Sequence, residues 1–283
     1  MLGVLFDGFA YGMLLFIMSV GLSVTMGLMG FVNLAHGSFA MLGGYIAVAL
    51  MKDRGWPFLA TLPAAFLGVA AASVAIERSV YRRLYRAGET DQVLLTIGLM
   101  LMSIAAAAYV WGTQLQGIEV PNYLRGRVSP FGVDLGIYRL FLIAVGVAIT
   151  LCLVLGLERT RFGARIRAAV DNQRMAGGLG IDVDRTFAVT FALGSGLAGL
   201  GGALAVEMIG LDPSFPTKNL VYFLLVVSVG GLGSVGGAFV ASVVLGVSDV
   251  AGKYYAPQLG AFVIYAVMIG LLLWRPLGLF GRR

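Results

Sequence analysis

The only histidine of the chain, His36, lies in the segment VNLAHGSFAMLGGY, which starts at Val32 and joins two long apolar runs. We expect no metal site at His36, because the chain has one histidine and one cysteine in all, and the cysteine, Cys152, lies far away in another apolar run. An imidazole in this setting either forms a hydrogen bond across helices or lines a polar path through the membrane. We therefore select four residues as candidates for such a path or for a break in a helix: Asn33, His36, Gly37 and Ser38.

The most informative polar stretch is RFGARIRAAVDNQRMAGGLGI, from Arg161 to Ile181. Helical spacing separates its apolar from its charged residues, and the pair Gly177 and Gly178 predicts the end of the helix. The apolar face comprises Phe162, Ile166, Ala169, Val170 and Ala176, and the opposite face Arg167, Asp171 and Arg174. Two interpretations remain open, because such a helix either rests on the inner leaflet or docks into a groove on a cytoplasmic protein.

A glycine-rich segment, GGLGSVGG, contains a literal G-x-G-x-x-G from Gly231 to Gly236. In a soluble protein this pattern would suggest a dinucleotide site, but here the neighbours are apolar runs of membrane length rather than a strand and a helix. We expect these glycines to break a pair of helices at Gly233 and Ser234, where protein or a water-filled path satisfies the backbone. The phosphate-loop pattern G-x-x-x-x-G-K-[ST] is absent from the sequence, so ATP hydrolysis by this chain is not expected.

The elements that must position these residues are membrane helices. Of the 283 residues, 59% are hydrophobic and 12% charged, which is about half the charged share of a soluble domain. Apolar runs of about 20 residues recur along the chain. They predict an all-α polytopic membrane protein with eight or nine transmembrane or membrane-embedded helices, in a single transmembrane domain over 1–283. The predicted spans are 5–27, 31–51, 58–77, 92–112, 138–157, 186–209, 219–232, 236–252 and 258–274.

The two predicted spans that flank Gly233 are short for full crossings. We expect 219–232 and 236–252 to form short tilted helices or a re-entrant pair. The N-terminal segment lacks a basic region and a cleavage pattern and carries Asp7, so we interpret it as an uncleaved first span.

Basic residues cluster in two loops that are separated by two predicted spans. The first contains Arg78, Arg82, Arg83 and Arg86, and the second Arg159, Arg161, Arg165, Arg167, Arg174 and Arg185. The positive-inside rule places both in the cytoplasm, together with the tail residues Arg275, Arg282 and Arg283. The loop 113–134, the segment LDPSFPTKN and Met1 are then external. This arrangement accounts for the net charge of +6 without a nucleic-acid partner.

Three segments together resemble permeases of ABC importers. AAVDNQRMAGGLGI resembles the cytoplasmic coupling region of the branch that carries branched-chain amino acids. VNLAHGSFAMLGGY and GGLGSVGGAFVASVVLG are similar to the early and the late signatures of the same branch. Because the three segments lie near the beginning, middle and end, the resemblance to LivH-type permeases covers essentially the whole chain.

This resemblance implies a multi-pass permease subunit of the bacterial inner membrane. It implies that the protein receives branched-chain or other apolar amino acids from an external, periplasmic binding protein, pairs with a homologous second permease and touches membrane lipid. Cytoplasmic ABC ATPases would use the ATP, and no cofactor is expected on this chain. The coupling loop would occupy about 158–185, and its short cytoplasmic coupling helix would contact the ATPase through Phe162, Gly163, Arg165, Ile166, Ala168, Ala169, Asp171, Asn172 and Gly180.

The sequence departs from the family pattern at two places. No glutamate opens a Glu-Ala-Ala motif, and Val170 follows Ala168 and Ala169. Ser38 occupies a position where relatives often carry an acidic residue, which leaves urea and short amides open as substrates on the same scaffold.

Two functions of other classes also remain open. An ion-coupled secondary transporter or a passive channel would act alone, but the intramembrane acids Asp7, Glu207 and Asp249 lie toward the ends of spans rather than at the midplane, where ion coupling usually needs a site. An enzyme is disfavoured because the sequence offers neither a nucleophile with its base nor a set of metal ligands.

Overall fold

The computed structural model describes residues 1–84, 87–129 and 134–281. The α-helices are α1 (Leu2–Met29), α2 (His36–Lys52), α3 (Phe58–Ser79), α4 (Glu89–Trp111), α5 (Ile137–Glu158), α6 (Arg161–Asp171), α7 (Gln173–Gly178), α8 (Val183–Ile209), α9 (Phe215–Gly230), α10 (Val235–Tyr255) and α11 (Gly260–Trp274). Short 3-10 turns cover Tyr81–Arg83 and Asn122–Leu124, and the strands β1 (Arg127–Val128) and β2 (Leu135–Gly136) pair antiparallel. Arg86, Arg282 and Arg283, which we assigned to basic segments, lie outside the described residues.

Helices occupy each of the nine predicted spans within the described ranges. Six of them, α1, α3, α4, α5, α8 and α10, are long and apolar enough to cross a membrane. The helices α9 and α11 are apolar but shorter, and α2 has 17 residues. The all-α, multi-pass architecture is therefore confirmed, while the number of full crossings stays a prediction.

Two predicted helix bounds are wrong. The segment after Gly233 is not short, because α10 continues to Tyr255 over 21 residues. Near its end the Lys253 ammonium donates to Asp249 Oδ2 at 2.6 Å, so the charges one turn apart partly neutralise each other. The second predicted span begins at residue 31, whereas α2 begins only at His36.

Glycine contacts hold the centre of the bundle together. The central helices α1 and α8 are mostly buried, and a Cβ atom added to Gly21 of α1 would lie 2.1 Å from the carbonyl oxygen of Gly194 of α8. The helix α2 packs on α8 in the same way, because a Cβ on Gly43 would lie 2.1 Å from the Gly199 oxygen. Lipid offers no hydrophobic driving force between helices, so such close backbone contact supplies much of their attraction.

Contacts between loops define two ends of the bundle. Arg82, which follows α3, forms an ion pair with Asp184 at the start of α8, so the two basic loops meet at one end, here called the basic end. At the opposite end the Lys52 ammonium donates to Gln116 Oε1 at 2.8 Å, and the backbone of Gln116 pairs with that of Leu211. This grouping of loops agrees with the predicted topology.

Candidate functional sites: the α6–α7 surface and the segment before α2

Two local features fix the turn from α5 into α6. Thr160 caps α6, since its Oγ1 accepts a hydrogen bond from the Gly163 amide at 3.3 Å. Gly163 itself touches the end of α5, because a Cβ there would lie 1.9 Å from the carbonyl oxygen of Leu157. The guanidinium of Arg167 donates to the same oxygen. The start of α6 is therefore attached directly to the backbone of α5.

The apolar face of α6 packs on the bundle. Ile166 is 1% exposed and Ala169 is fully buried. Ile166 lies beside Leu157 of α5 and beside Thr190 and Leu193 of α8. Burial of a side chain of this size stabilises the contact by about 1.5–3 kcal/mol. The protein's own helices therefore cover Ile166 and Ala169, so these two residues do not rest on the inner leaflet.

The predicted single helix is divided at Asn172. Its backbone is extended, and its Oδ1 accepts a hydrogen bond from the Met175 amide at 2.9 Å, which caps α7. Asparagine favours this arrangement because its side chain replaces the backbone partner that a continuing helix would provide. The helix α7 ends at Gly178, as the glycine pair predicts, and Gly180 follows with a φ of 82°.

The predicted partner-binding residues divide into buried and exposed sets. Gly163, Ile166 and Ala169 are buried, Phe162 and Ala168 are half-buried, and Arg165, Asp171, Asn172 and Gly180 are exposed. The sequence analysis missed two apolar residues, Met175 of α7 and Leu179 just after its end, whose exposures are 68% and 81%. Their spacing of four residues was the available signal. Five exposed residues of α6, α7 and the turn that follows are here called the α6–α7 surface: Arg165, Asp171, Arg174, Met175 and Leu179.

The second candidate site is the non-helical segment 30–35, which lies inside the bundle. Gly30 ends α1 with a φ of 61°, a conformation that favours glycine. Asn33 is fully buried, and its Oδ1 accepts from the Ala35 amide at 3.1 Å. This side-chain turn returns the chain toward α2. Non-helical backbone at membrane depth is tolerated where protein surrounds it, as happens here.

His36 contacts α1 from the first position of α2. Its Nε2 lies 2.8 Å from the carbonyl oxygen of Met18, and the ring meets that of Phe223 edge-on at 6.1 Å. This is the hydrogen bond between helices that the structural interpretation requires. His36 Nδ1 and Asn33 Nδ2 are buried, and no described residue offers either of them a hydrogen bond.

The two groups of predicted path residues do not form one site. Gly233 stacks on Gly27 near the end of α1, and Ser234 Oγ accepts from the Gly237 amide at 2.9 Å to cap α10. His36 instead contacts Met18, which lies about 14 Å away from Gly27 along the axis of α1. The structure therefore places Gly233 and Ser234 as a helix junction at the basic end.

Two residues that the sequence analysis missed hold the segment 30–35 in place. Gln92, in the first turn of α4, accepts from the Val32 amide at 3.1 Å, and its amide group donates to the carbonyl oxygens of Leu84 and Ala87. The Tyr81 hydroxyl donates to Asn33 Oδ1 at 3.3 Å. The sequence offered one signal of the role of Gln92, namely an amide side chain at the start of the apolar run that forms α4.

Comparison with known proteins assigns the family. The family described as "Branched-chain amino acid transport system / permease component" matches residues 4–272. The chain is 27% identical to the high-affinity branched-chain amino acid transport system permease protein LivH of Escherichia coli (strain K12), over 98% of this chain and 94% of the relative. It is 29% identical to the probable branched-chain amino acid transport permease protein LivH of Methanocaldococcus jannaschii, over 96% and 90%. It is 26% identical to the permease protein LivM of Escherichia coli (strain K12), over 94% and 68%. The chain therefore belongs to the family of branched-chain amino acid transport permeases.

Proposed function

We propose that this protein is the transmembrane permease subunit of an ATP-binding-cassette importer of the bacterial inner membrane. It passes branched-chain or other apolar amino acids from an external binding protein into the cytoplasm, and separate ATPase subunits drive the cycle. This chain binds no cofactor of its own. Its resemblance to both LivH and LivM supports a complex with a homologous second permease.

The observation that carries the proposal is the α6–α7 surface. The helix α6 is fixed to α5 and α8, while Met175 and Leu179 are exposed at the basic end, in the same segment as Arg174. Apolar side chains that project among charges at the end of a membrane protein favour a protein partner over lipid. A coupling helix needs both a buried attachment to the bundle and an exposed side for its partner, since a force applied to the exposed side then reaches the bundle through Ile166 and Gly163.

The solute path is proposed to pass the start of α2. Two helices begin near one another there, because a Cβ on Gly37 would lie 2.9 Å from the Cα atom of Pro216 in the first turn of α9. The positive ends of broken helices suit the carboxylate of an amino acid. The nitrogens of Asn33 and His36 that have no hydrogen-bond partner among the described residues lie in the same region and would support this role, with Ser38 two residues further along α2.

Removal of the apolar contacts tests the coupling. The double variant Met175→Ser with Leu179→Ser is expected to lose most of the ATPase that co-purifies with the permease, because both projecting side chains lose their apolar groups. Leu115→Ser is the matched control, since Leu115 is 66% exposed but lies in the loop beside Gln116. Unchanged co-purification in the double variant, with the permease still in the membrane fraction, would contradict the assignment of this surface.

Reconstitution tests the class of transporter. Liposomes that contain the two permeases, the ATPases and a loaded binding protein are expected to accumulate leucine only when ATP is supplied. Uptake by this chain alone, without ATP or ATPase, would instead identify a secondary transporter or a channel. Urea or short amides in place of leucine test the alternative substrate class on the same complex.

A further inference from the structure

A cavity of about 190 Å³ lies between α2 and α4, here called the α2–α4 slot. Its walls are largely apolar, and Leu42, Leu99 and Trp111 are typical lining residues. Among the described residues that line it, none is charged. A buried apolar cavity of about 150 Å³ holds a benzene-sized molecule, so this slot has room for an aliphatic side chain of four carbons.

Four hydroxyl groups distinguish the slot from a crevice for a lipid chain. Ser103 donates to Ser38 Oγ at 2.6 Å across the slot, and Tyr45 and Tyr81 lie in its walls. Tyr45 is fully buried, stacked on Trp111, and its hydroxyl has no hydrogen-bond partner among the described residues. Hydrocarbon would leave this hydroxyl unsatisfied, which is costly in a buried site. An amphipathic molecule would satisfy it.

A second unpaired group lies in the segment that packs on α2 beside Tyr45. Asp212 follows Leu211, whose side chain covers Gly44, the residue before Tyr45. One oxygen, Oδ2, pairs with Lys218. The other, Oδ1, is buried, and no described residue donates a hydrogen bond to it. A free carboxylate oxygen and a free hydroxyl together suit an ammonium and a carboxylate group.

We propose that the α2–α4 slot receives the branched aliphatic side chain of the transported amino acid, while Asp212 Oδ1 takes its ammonium group and the Tyr45 hydroxyl donates to its carboxylate. This inference rests on the proposed transport function and specifies the subsite for that substrate. It assigns the selection between short and branched side chains to Leu42, Leu99 and Ala106.

The proposal is tested by variants that change the size of the slot. Ala106→Leu narrows the slot and Leu99→Ala widens it, whereas Ala105→Leu is a matched control because Ala105 neighbours Ala106 on α4 but does not line the slot. The complete complex in liposomes is supplied with saturating binding protein, so that the maximal rate of uptake reports the permease rather than delivery. Rates are measured for leucine, alanine and phenylalanine.

Ala106→Leu is expected to lower the ratio of leucine to alanine uptake about tenfold or more, the discrimination that one methylene in an apolar pocket provides. Leu99→Ala is expected to raise uptake of phenylalanine relative to leucine, and Ala105→Leu to resemble the parent. Tyr45→Phe, which keeps the stack on Trp111, is expected to slow both substrates without changing their ratio.

Unchanged ratios in Ala106→Leu and Leu99→Ala, in complexes that still transport alanine, would overturn the slot assignment and leave the importer function intact. Loss of all uptake in Ala106→Leu would count against the proposal if Leu99→Ala also kept the parent ratios. Failure of the parent complex to transport any branched-chain amino acid would reject the proposed function itself.

Discussion

Single glycines decide how closely the helices approach. A Cβ on Gly202 of α8 would lie 1.8 Å from the carbonyl oxygen of Ala40 in α2, a backbone atom that no side-chain rotation can move. At Gly98 of α4, no atom of the described residues lies within 4 Å of an added Cβ. The two glycines therefore form a matched pair for the same substitution.

Gly202→Ala is expected to lower the free energy of unfolding by about 1–3 kcal/mol, because α2 and α8 must move apart. Gly98→Ala is expected to be neutral or slightly stabilising, since alanine favours a helix over glycine. Thermal unfolding of the purified variants in detergent measures both. Equal melting temperatures for the two variants would contradict the close contact between α2 and α8.

His36 has two proposed roles, a hydrogen bond to α1 and a place on the solute path. Substitution by glutamine separates them. The amide nitrogen of glutamine reaches about as far as Nε2, so His36→Gln is expected to keep the bond to the Met18 carbonyl oxygen and to keep the melting temperature. His36→Leu loses the bond and is expected to cost about 1 kcal/mol. Normal stability with lost transport in His36→Gln would assign the unpaired Nδ1 to the solute path. A stable His36→Leu variant would contradict the structural role.

At the scale of elements, the segment 30–35 depends on the loop between α3 and α4. Gln92→Leu removes the acceptor for the Val32 amide and leaves that buried group unpaired, at a cost of about 1–3 kcal/mol. We expect faster hydrogen–deuterium exchange in the peptide that contains residues 31–35. The rest of α1 is expected to exchange as before.

Gln114→Leu provides the control for this substitution, because Gln114 is exposed near the opposite end of the bundle. Mass spectrometry after exchange resolves the peptide in both variants. Equal exchange rates of residues 31–35 with and without the Gln92 side chain would disprove that Gln92 holds this segment in place.

At the scale of the whole molecule, the topology follows from which loops meet. Asp7, near the N-terminus, forms an ion pair with Arg139 at the start of α5, just after the loop that we expect to be external. The N-terminus and that loop therefore lie at the same end. Met175 lies at the basic end.

Cysteine labelling tests this topology in a Cys152→Ser background, which has no other thiol. A membrane-impermeant maleimide is expected to label Leu2→Cys and Tyr123→Cys on intact cells, and Met175→Cys only after the membrane is opened. All three side chains are exposed. Labelling of Leu2→Cys and Met175→Cys from the same side would contradict the arrangement.

The sequence predicts the helices well because each apolar run is a local property of the chain. It does not predict where helices stop inside the bundle. Phe31 and Val32 continue the apolar pattern, so the prediction extends α2 too far. The break is stabilised in part by contacts across 60 residues to Gln92 and 48 residues to Tyr81, which a local pattern does not reveal. The face of α6 was predictable from its periodicity, but which protein surface covers that face is a property of the folded bundle. The slot beside Tyr45 likewise exists only after α2 and α4 meet.

The division at Asn172 has a consequence for how the sequence can vary. The residues that attach α6 to the bundle precede Asn172. The exposed residues Met175 and Leu179 follow it. Selection can therefore act on the two sets independently. Across related permeases, we expect positions 163, 166 and 169 to change in step with α5 and α8, and positions 175 and 179 to co-vary with the cognate ATPase of each organism.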